Sequence, residues 1–137
     1  MASSLINPVL NTFGLSEPLP SLAALAADRE RLPVTRHLTQ FRDIFLNNDV
    51  VVWSSGTGSG KTTQIPQYVA FLSRQAKIRG QIVCTQPRRL AATRVAERAA
   101  QEAGCKLGAQ VGFQIRGEDQ ISDKTQLMYV DFPKIIG

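Results

Sequence analysis

Only two cysteines and one histidine occur among the 137 residues. Cys84 and Cys105 share neither metal-ligand nor redox spacing, and two cysteines make no disulfide framework, so both are expected to be buried thiols in a reducing compartment. His37, the lone histidine, falls in a helical pattern and is expected on a surface rather than in catalysis. No apolar run is long enough to cross a bilayer, and no basic stretch followed by a hydrophobic one opens the chain. Neither a membrane partner nor a secretory signal is therefore expected, and the protein is read as intracellular. Internal repeats and low-complexity tracts are absent too. Acidic residues are outnumbered, eleven against sixteen basic ones, which leaves a net charge of +5 and a pI near 9.7.

What remains is a globular balance of 43% hydrophobic and 20% charged residues, enough for the core of one ordinary domain. Eleven of the sixteen basic residues are arginines. A guanidinium grips phosphate oxygens through a two-pronged fork, so the bias suits a nucleic-acid partner, although solvated basic faces have the same composition.

Residues 1–28 are rich in Ser, Pro, Asn and Ala and read as a flexible lead-in, with Leu22, Leu25 and the intervening alanines able to form a short helix. Order is expected from Arg29. Pro33 and Thr35 can open a helix with Leu38, Phe41, Ile44 and Phe45 on one face, stopped by Asn47, Asn48 and Asp49. The β-branched run Val50-Val51-Val52-Trp53 predicts a central parallel strand covered on both faces, with Trp53 in the core. A helix is predicted from about Gly60 to Ala76, kinked by Pro66 and followed by Gly80 as a C-terminal cap. Strands are predicted over 81–85, 111–115 and 126–130, and a further helix over 90–103 ended by Gly104. This alternation predicts an α/β fold, a mostly parallel sheet flanked by helices with ligand-binding loops at the carboxyl ends of strands.

The stretch SSGTGSGKTTQIPQ, residues 54–67, sits between the first predicted strand and its helix. It matches a phosphate-binding P-loop except that Ser55 holds the first glycine position. Gly56, Gly58 and Gly60 let successive amides turn inward into an anion nest, and the helix N-terminus adds unpaired N–H groups and its positive dipole end. In such a loop Lys61 reaches the β- and γ-phosphates and the Thr62 hydroxyl ligates Mg²⁺. The plainer alternative is a flexible Gly/Ser loop with a surface lysine. Ser55 would restrict the turn if that position needs positive φ.

GTGSGKTTQIPQ, then CTQPRRLAATRVAER, then VGFQIRGED together resemble the first RecA-like domain of the DEAH-box ATP-dependent RNA helicases, over roughly Arg29 to Val130. RERLPV resembles that family's lead-in to the domain. The resemblance implies ATP and Mg²⁺ as cofactors and RNA as a partner bound through its backbone, in the nucleus or the cytoplasm. It implies an ATP-binding loop over Gly56, Thr57, Gly58, Ser59, Gly60, Lys61, Thr62 and Thr63, with Lys61 catalytic and Thr62 on the metal. It further implies RNA contacts from Thr85, Gln86, Pro87, Arg88 and Arg89, and packing of Arg98 against the adenine. A turn that opens a helix and bears two arginines suits phosphates on physical grounds. A solvated or structural pair is the alternative for Arg88 and Arg89, and a plain helix-surface arginine for Arg98. Arg116 lies in the family's IR pattern without an assignable role.

The family continues beyond the Tyr129-Val130 position with a Thr-Asp-Gly stretch, where residues 131–137 here read DFPKIIG. The expectation is a partial first RecA-like domain over 29–130 followed by an off-pattern tail, whether fragment, splice product or truncated gene product. No acidic box resembling Asp-Glu-Ala-His occurs to hold Mg²⁺ opposite Thr62. Competing readings are a non-catalytic nucleotide- or RNA-binding product and another P-loop enzyme such as a small-molecule kinase, which leaves TQPRR unexplained. The 137-residue polypeptide is expected neither to unwind RNA nor to hydrolyse ATP at a useful rate. A phosphate-release assay with and without RNA checks this; robust turnover abolished by Lys61→Ala would overturn it.

Overall fold

Alanine sets the spacing of the central layers. The computed structural model describes Phe13 and residues 22–131. Within it, helix α4 (Arg89–Ala103) turns Ala92, Ala96, Ala99, Ala100 and Ala103 inward, so the helix axis can approach the sheet closely. The preceding elements are helix α1 (Leu22–Glu30), a 3-10 turn (Pro33–His37), helix α2 (Leu38–Asn47), helix α3 (Lys61–Gln75) and strand β1 (Ile82–Gln86). Strands β2 (Val111–Ile115), β3 (Glu118–Gln120) and β4 (Leu127–Asp131) complete the described chain.

The sheet runs β1-β4-β2-β3. β4 pairs in parallel with β1 from Ile82↔Leu127 to Gln86↔Asp131, and with β2 from Val111↔Leu127 to Gln114↔Val130. Among the described strands only the short β2–β3 pairing is antiparallel. β4 is central and every one of its residues is buried, so the apolar run Leu127–Val130 follows from cover on both faces, with the charged Asp131 buried at its end. The expected α/β class, with a mostly parallel sheet flanked by helices, is what the structure has.

Several local expectations need correction. Val50–Trp53 belongs to no sheet among the described residues. Val50 and Val52 are 81% and 92% exposed, whereas Val51 and Trp53 lie against the α2–α3 cluster of Leu38, Phe41, Tyr68 and Leu72. The period-two burial of a strand is present, but one face is bare and no ladder forms. Composition favours an extended backbone, but a ladder needs a neighbouring strand, which composition does not supply. Trp53 is thus half-buried, with His37 and Phe41 edge-on to its ring.

The N-terminal helix opens as a 3-10 turn, and α2 begins only at Leu38. α2 ends where expected because the Asn47 and Asn48 side-chain amides donate to the Asp43 and Ile44 carbonyls at 2.7 and 2.8 Å. α3 ends at Gln75, and the left-handed residue that closes it is Lys77 (φ 56°), not Gly80. The Ile78 amide reaches back to the Ser73 carbonyl at 2.8 Å, closing the helix end three residues before Gly80. Gly104 (φ 72°) does end α4, with the Cys105 amide on the Ala100 carbonyl at 3.0 Å. Strand β3 was not expected; its sequence, Glu-Asp-Gln, is polar and all three residues are exposed. Helix α1 crosses the boundary set at residue 28, with Ala26 and Arg29 buried. The rest of the lead-in and the tail beyond Asp131 lie outside the described residues, apart from Phe13, which joins the core around α4 and the sheet. Both cysteines are free and half-buried.

Amide hydrogen exchange checks this arrangement. β4 and its partners on β1 and β2 are expected to exchange slowest, and Val50–Trp53 at near-unprotected rates despite their strand-like sequence. Strong protection of Val50–Trp53 would contradict the unpaired segment.

Candidate nucleotide-binding site

Three features of the 54–63 segment force its path. Gly58 and Gly60 have φ of 78° and 91°, the left-handed region that glycine adopts without steric cost. Ser55 has no positive φ, so a serine satisfies the first glycine position of the motif. At Gly60 a Cβ would fall 2.8 Å from Leu32 Cδ1, so the loop also sits tight on the segment before the 3-10 turn. The Val34 amide donates to the Ser59 carbonyl at 3.0 Å, and the Ser59 amide to the Gly56 carbonyl at 3.2 Å. The Ser55 and Ser59 hydroxyls are 2.9 Å apart, a side-chain clasp across the loop.

Gly60 is the N-cap of α3 and supplies no capping side chain. The first-turn amides therefore remain aimed at whatever the loop encloses, the arrangement that favours phosphate. Lys61 is exposed, and its Nζ donates to the Ser55 carbonyl at 3.0 Å, folding the ammonium back over the loop. Thr57 and Gly58 are exposed at the loop tip. The Thr63 hydroxyl is turned inward, donating to the Gly60 carbonyl at 3.2 Å and accepting from the Gln64 amide at 2.9 Å. Among the described residues no bond engages the Thr62 hydroxyl; its carbonyl accepts a hydrogen bond from the Tyr129 hydroxyl at 3.0 Å. This donor set fits ATP with Mg²⁺: uncapped first-turn amides, an exposed cation and an unengaged hydroxyl.

Beneath the loop lies a buried polar network that sequence reasoning missed. Glu102, 1% exposed, accepts from Gln64 at 2.7 Å and from Gln67 at 3.2 Å, and pairs with Arg98 at 3.0 Å and Arg29 at 3.5 Å. Arg29 also donates to the Gln64 side-chain oxygen at 2.7 Å. Burial pulls the Arg29 guanidinium down to about 10, partly offset by the Glu102 charge, so it stays protonated near neutrality. The network bolts α1, α3 and α4 together immediately behind the phosphate loop. Its one legible signal was the pair of glutamines in TTQIPQ, three residues apart on one helix face.

The other expected site residues lie elsewhere on the scaffold. Thr85 and Gln86 end β1, and Arg88 is the N-cap of α4, again with no side-chain cap. Pro87, Arg88 and Arg89 are exposed beside that helix start, while the Gln86 amide is held by the Thr85 carbonyl at 2.9 Å. Arg98 is committed to Glu102 yet keeps 43% of its side chain exposed. An open cavity of about 590 Å³ flanks the loop, bounded by Pro33, His37, Trp53, Ser55 and Ser59, but neither Lys61 nor Thr62 lines it. Among the described residues no cluster of His, Cys, Asp and Glu could hold a metal, and no helix is long and apolar enough to cross a membrane.

Glu102→Ala strands Arg29 without its counter-charge and is expected to cost about 3–5 kcal/mol, against under about 1 kcal/mol for the half-exposed Arg98→Ala. Urea unfolding followed by circular dichroism measures both; equal effects would contradict the network's centring on Glu102.

Known proteins resemble the chain over most of its length. Across 112 residues, 80% of the chain, it is 43% identical to the DExH-box ATP-dependent RNA helicase DExH1 of Arabidopsis thaliana. Over a stretch of equal length it is 39% identical to the Schizosaccharomyces pombe protein ucp12, assigned by its name to the ATP-dependent RNA helicases. The chain spans 11% and 8% of the length of these two relatives. Residues 40–131 match the family described as AAA domain, a span that holds the whole phosphate loop, α3 and the sheet. On that match, over more than half of its length, the chain belongs to the AAA-domain family.

Proposed function

We propose that the chain forms the ATP–Mg²⁺-binding part of a DEAH-box type RNA helicase, a partial RecA-like domain whose TQPRR turn contacts the RNA backbone. The observation that carries the reading is the uncapped start of α3 behind Gly58 and Gly60, with Lys61 and Thr62 as its first two residues. Support for the RNA arm comes from the second uncapped helix start, at α4, flanked by exposed Arg88 and Arg89. Bound there, ATP would supply a phosphoanhydride and Mg²⁺ would withdraw charge from its phosphates.

The chain's own residues have separable tasks in this proposal. Amides of residues 58–63 hold phosphate oxygens, Lys61 neutralises them, and Thr62 offers its hydroxyl to the metal. Lys61 must leave the Ser55 carbonyl to do so, an exchange of a neutral acceptor for an anionic one that favours the bound state. Thr57, Ser59 and Thr63 shape the loop, and Arg98 offers the free face of its guanidinium to the adenine while Glu102 holds its Nε. Thr85, Gln86 and Pro87 place Arg88 and Arg89 against RNA phosphates without reading bases. Translocation and unwinding belong to the longer proteins it resembles and extend this proposal to an assembly working on RNA in the nucleus or cytoplasm.

Titration with a fluorescent ATP analogue is expected to show Mg²⁺-dependent binding that Lys61→Ala weakens by about tenfold or more. Filter retention of single-stranded RNA is expected to fall with salt, with a slope of log affinity against log salt reduced by about 0.7 for each of Arg88→Ala and Arg89→Ala. Binding indifferent to Lys61→Ala, or RNA retention unaffected by either arginine, would remove the corresponding half of the proposal.

A further inference from the structure

Pro66 sits inside α3, where a helical residue would donate its amide to the carbonyl four positions earlier. Proline has no N–H, and its ring crowds that carbonyl and tilts it off the helix axis. The carbonyl concerned belongs to Thr62. It would be an orphaned acceptor in the first turn of the phosphate-binding helix. The structure provides a replacement donor: the Tyr129 hydroxyl, from the middle of the central strand β4, at 3.0 Å.

We propose that Tyr129 is a positioning residue for Thr62, fixing the first turn of α3 against the sheet through the carbonyl that Pro66 leaves without a helical partner. This rests on the nucleotide reading and deepens it, because Thr62 is the residue whose hydroxyl is assigned to Mg²⁺. Tyr129 is 0% exposed. Burial, with the neighbouring Cys84 and Glu102 acting in the same direction, pushes its phenol far above the ordinary range, so the hydroxyl remains a proton donor. In a regular helix an amide at position 66 would already satisfy this carbonyl and the phenol would be a second, dispensable donor; with proline there, the phenol replaces the missing amide. Proline and tyrosine are therefore two halves of one device: the first removes the carbonyl's helical donor, and the second anchors it to the fully buried strand β4. Thr62 then has its backbone held from the sheet side, while its hydroxyl stays unengaged.

Four forms of the full 137-residue chain decide this: wild type, Tyr129→Phe, Pro66→Ala and the double variant. Each is titrated with a fluorescent ADP analogue, once with Mg²⁺ and once with a chelator, and melted without nucleotide. Tyr129→Phe is expected to weaken binding about tenfold with Mg²⁺ and by no more than about twofold with the chelator. In the Pro66→Ala background, where residue 66 again donates to Thr62, adding Tyr129→Phe is expected to change Mg²⁺-dependent binding by less than about twofold and to lower Tm less than it does in wild type. Equal losses with and without Mg²⁺, or equal losses in both backgrounds, overturn the proposal. If Tyr129→Phe alone does not fold, recovery of folding in the double variant supports the linkage and its absence overturns it. Wild-type protein that binds no nucleotide in either condition overturns the nucleotide reading and the positioning role with it; normal wild-type binding with an unaltered Tyr129→Phe overturns the positioning role alone.

Discussion

Glu102 is a carboxylate almost entirely removed from water, and side chains from three helices converge on it: Arg29, Gln64, Gln67 and Arg98. Such a group is tolerable in an apolar interior only when its lone pairs are met and its charge is balanced, so each partner is confined to a narrow geometry. The confinement is what α3 requires. A phosphate loop can present its amides usefully only if the helix behind it does not roll or slide. Here the helix is held on one side by glutamines on a fixed carboxylate and on the other by apolar contacts of Tyr68 and Leu72 with α2.

The sheet contributes through its most protected strand. β4 is sandwiched between β1 and β2, backs onto the alanine face of α4, and reaches α3 through Tyr129. Rigidity in the phosphate loop therefore arises in layers. Small side chains let α4 settle on the sheet, α4 carries Glu102, and Glu102 with Tyr129 sets where α3 begins. The loop itself adds its own clasp of Ser55 and Ser59 and its two left-handed glycines.

Legibility from sequence followed the range of the interaction. The body of α4, the end of α2 and the start of α3 were readable because alanine spacing, asparagine stops and a glycine before Lys-Thr-Thr act within a few residues. Strand β3 was not, since its Glu-Asp-Gln sequence has no apolar periodicity and exists as a strand only through pairing with β2. Val50–Trp53 failed in the opposite direction: its residues alternate in burial as a strand's would, but among the described residues no strand lies alongside it. Gly80 looked like a helix cap by type, yet Lys77 takes the left-handed position because the terminal carbonyls of α3 close sooner. Within the site, the loop and its lysine were visible as a contiguous motif. Glu102 and Tyr129 were not, because each reads as an ordinary helix glutamate or strand aromatic until the fold brings it against a helix roughly forty or more residues away in sequence.

By itself the sequence determined which backbone conformations are cheap: a glycine loop between an extended run and a helix, an alanine-faced second helix, and a proline that must orphan the carbonyl of Thr62. Those are local steric and hydrogen-bonding facts, settled within one or two turns of chain. Only the tertiary structure decided what answers them. Whether the Thr62 carbonyl finds a donor, whether the glutamines of α3 meet a charge, and whether an extended run gains a ladder all depend on groups distant in sequence, whose approach is set by packing rather than by local preference.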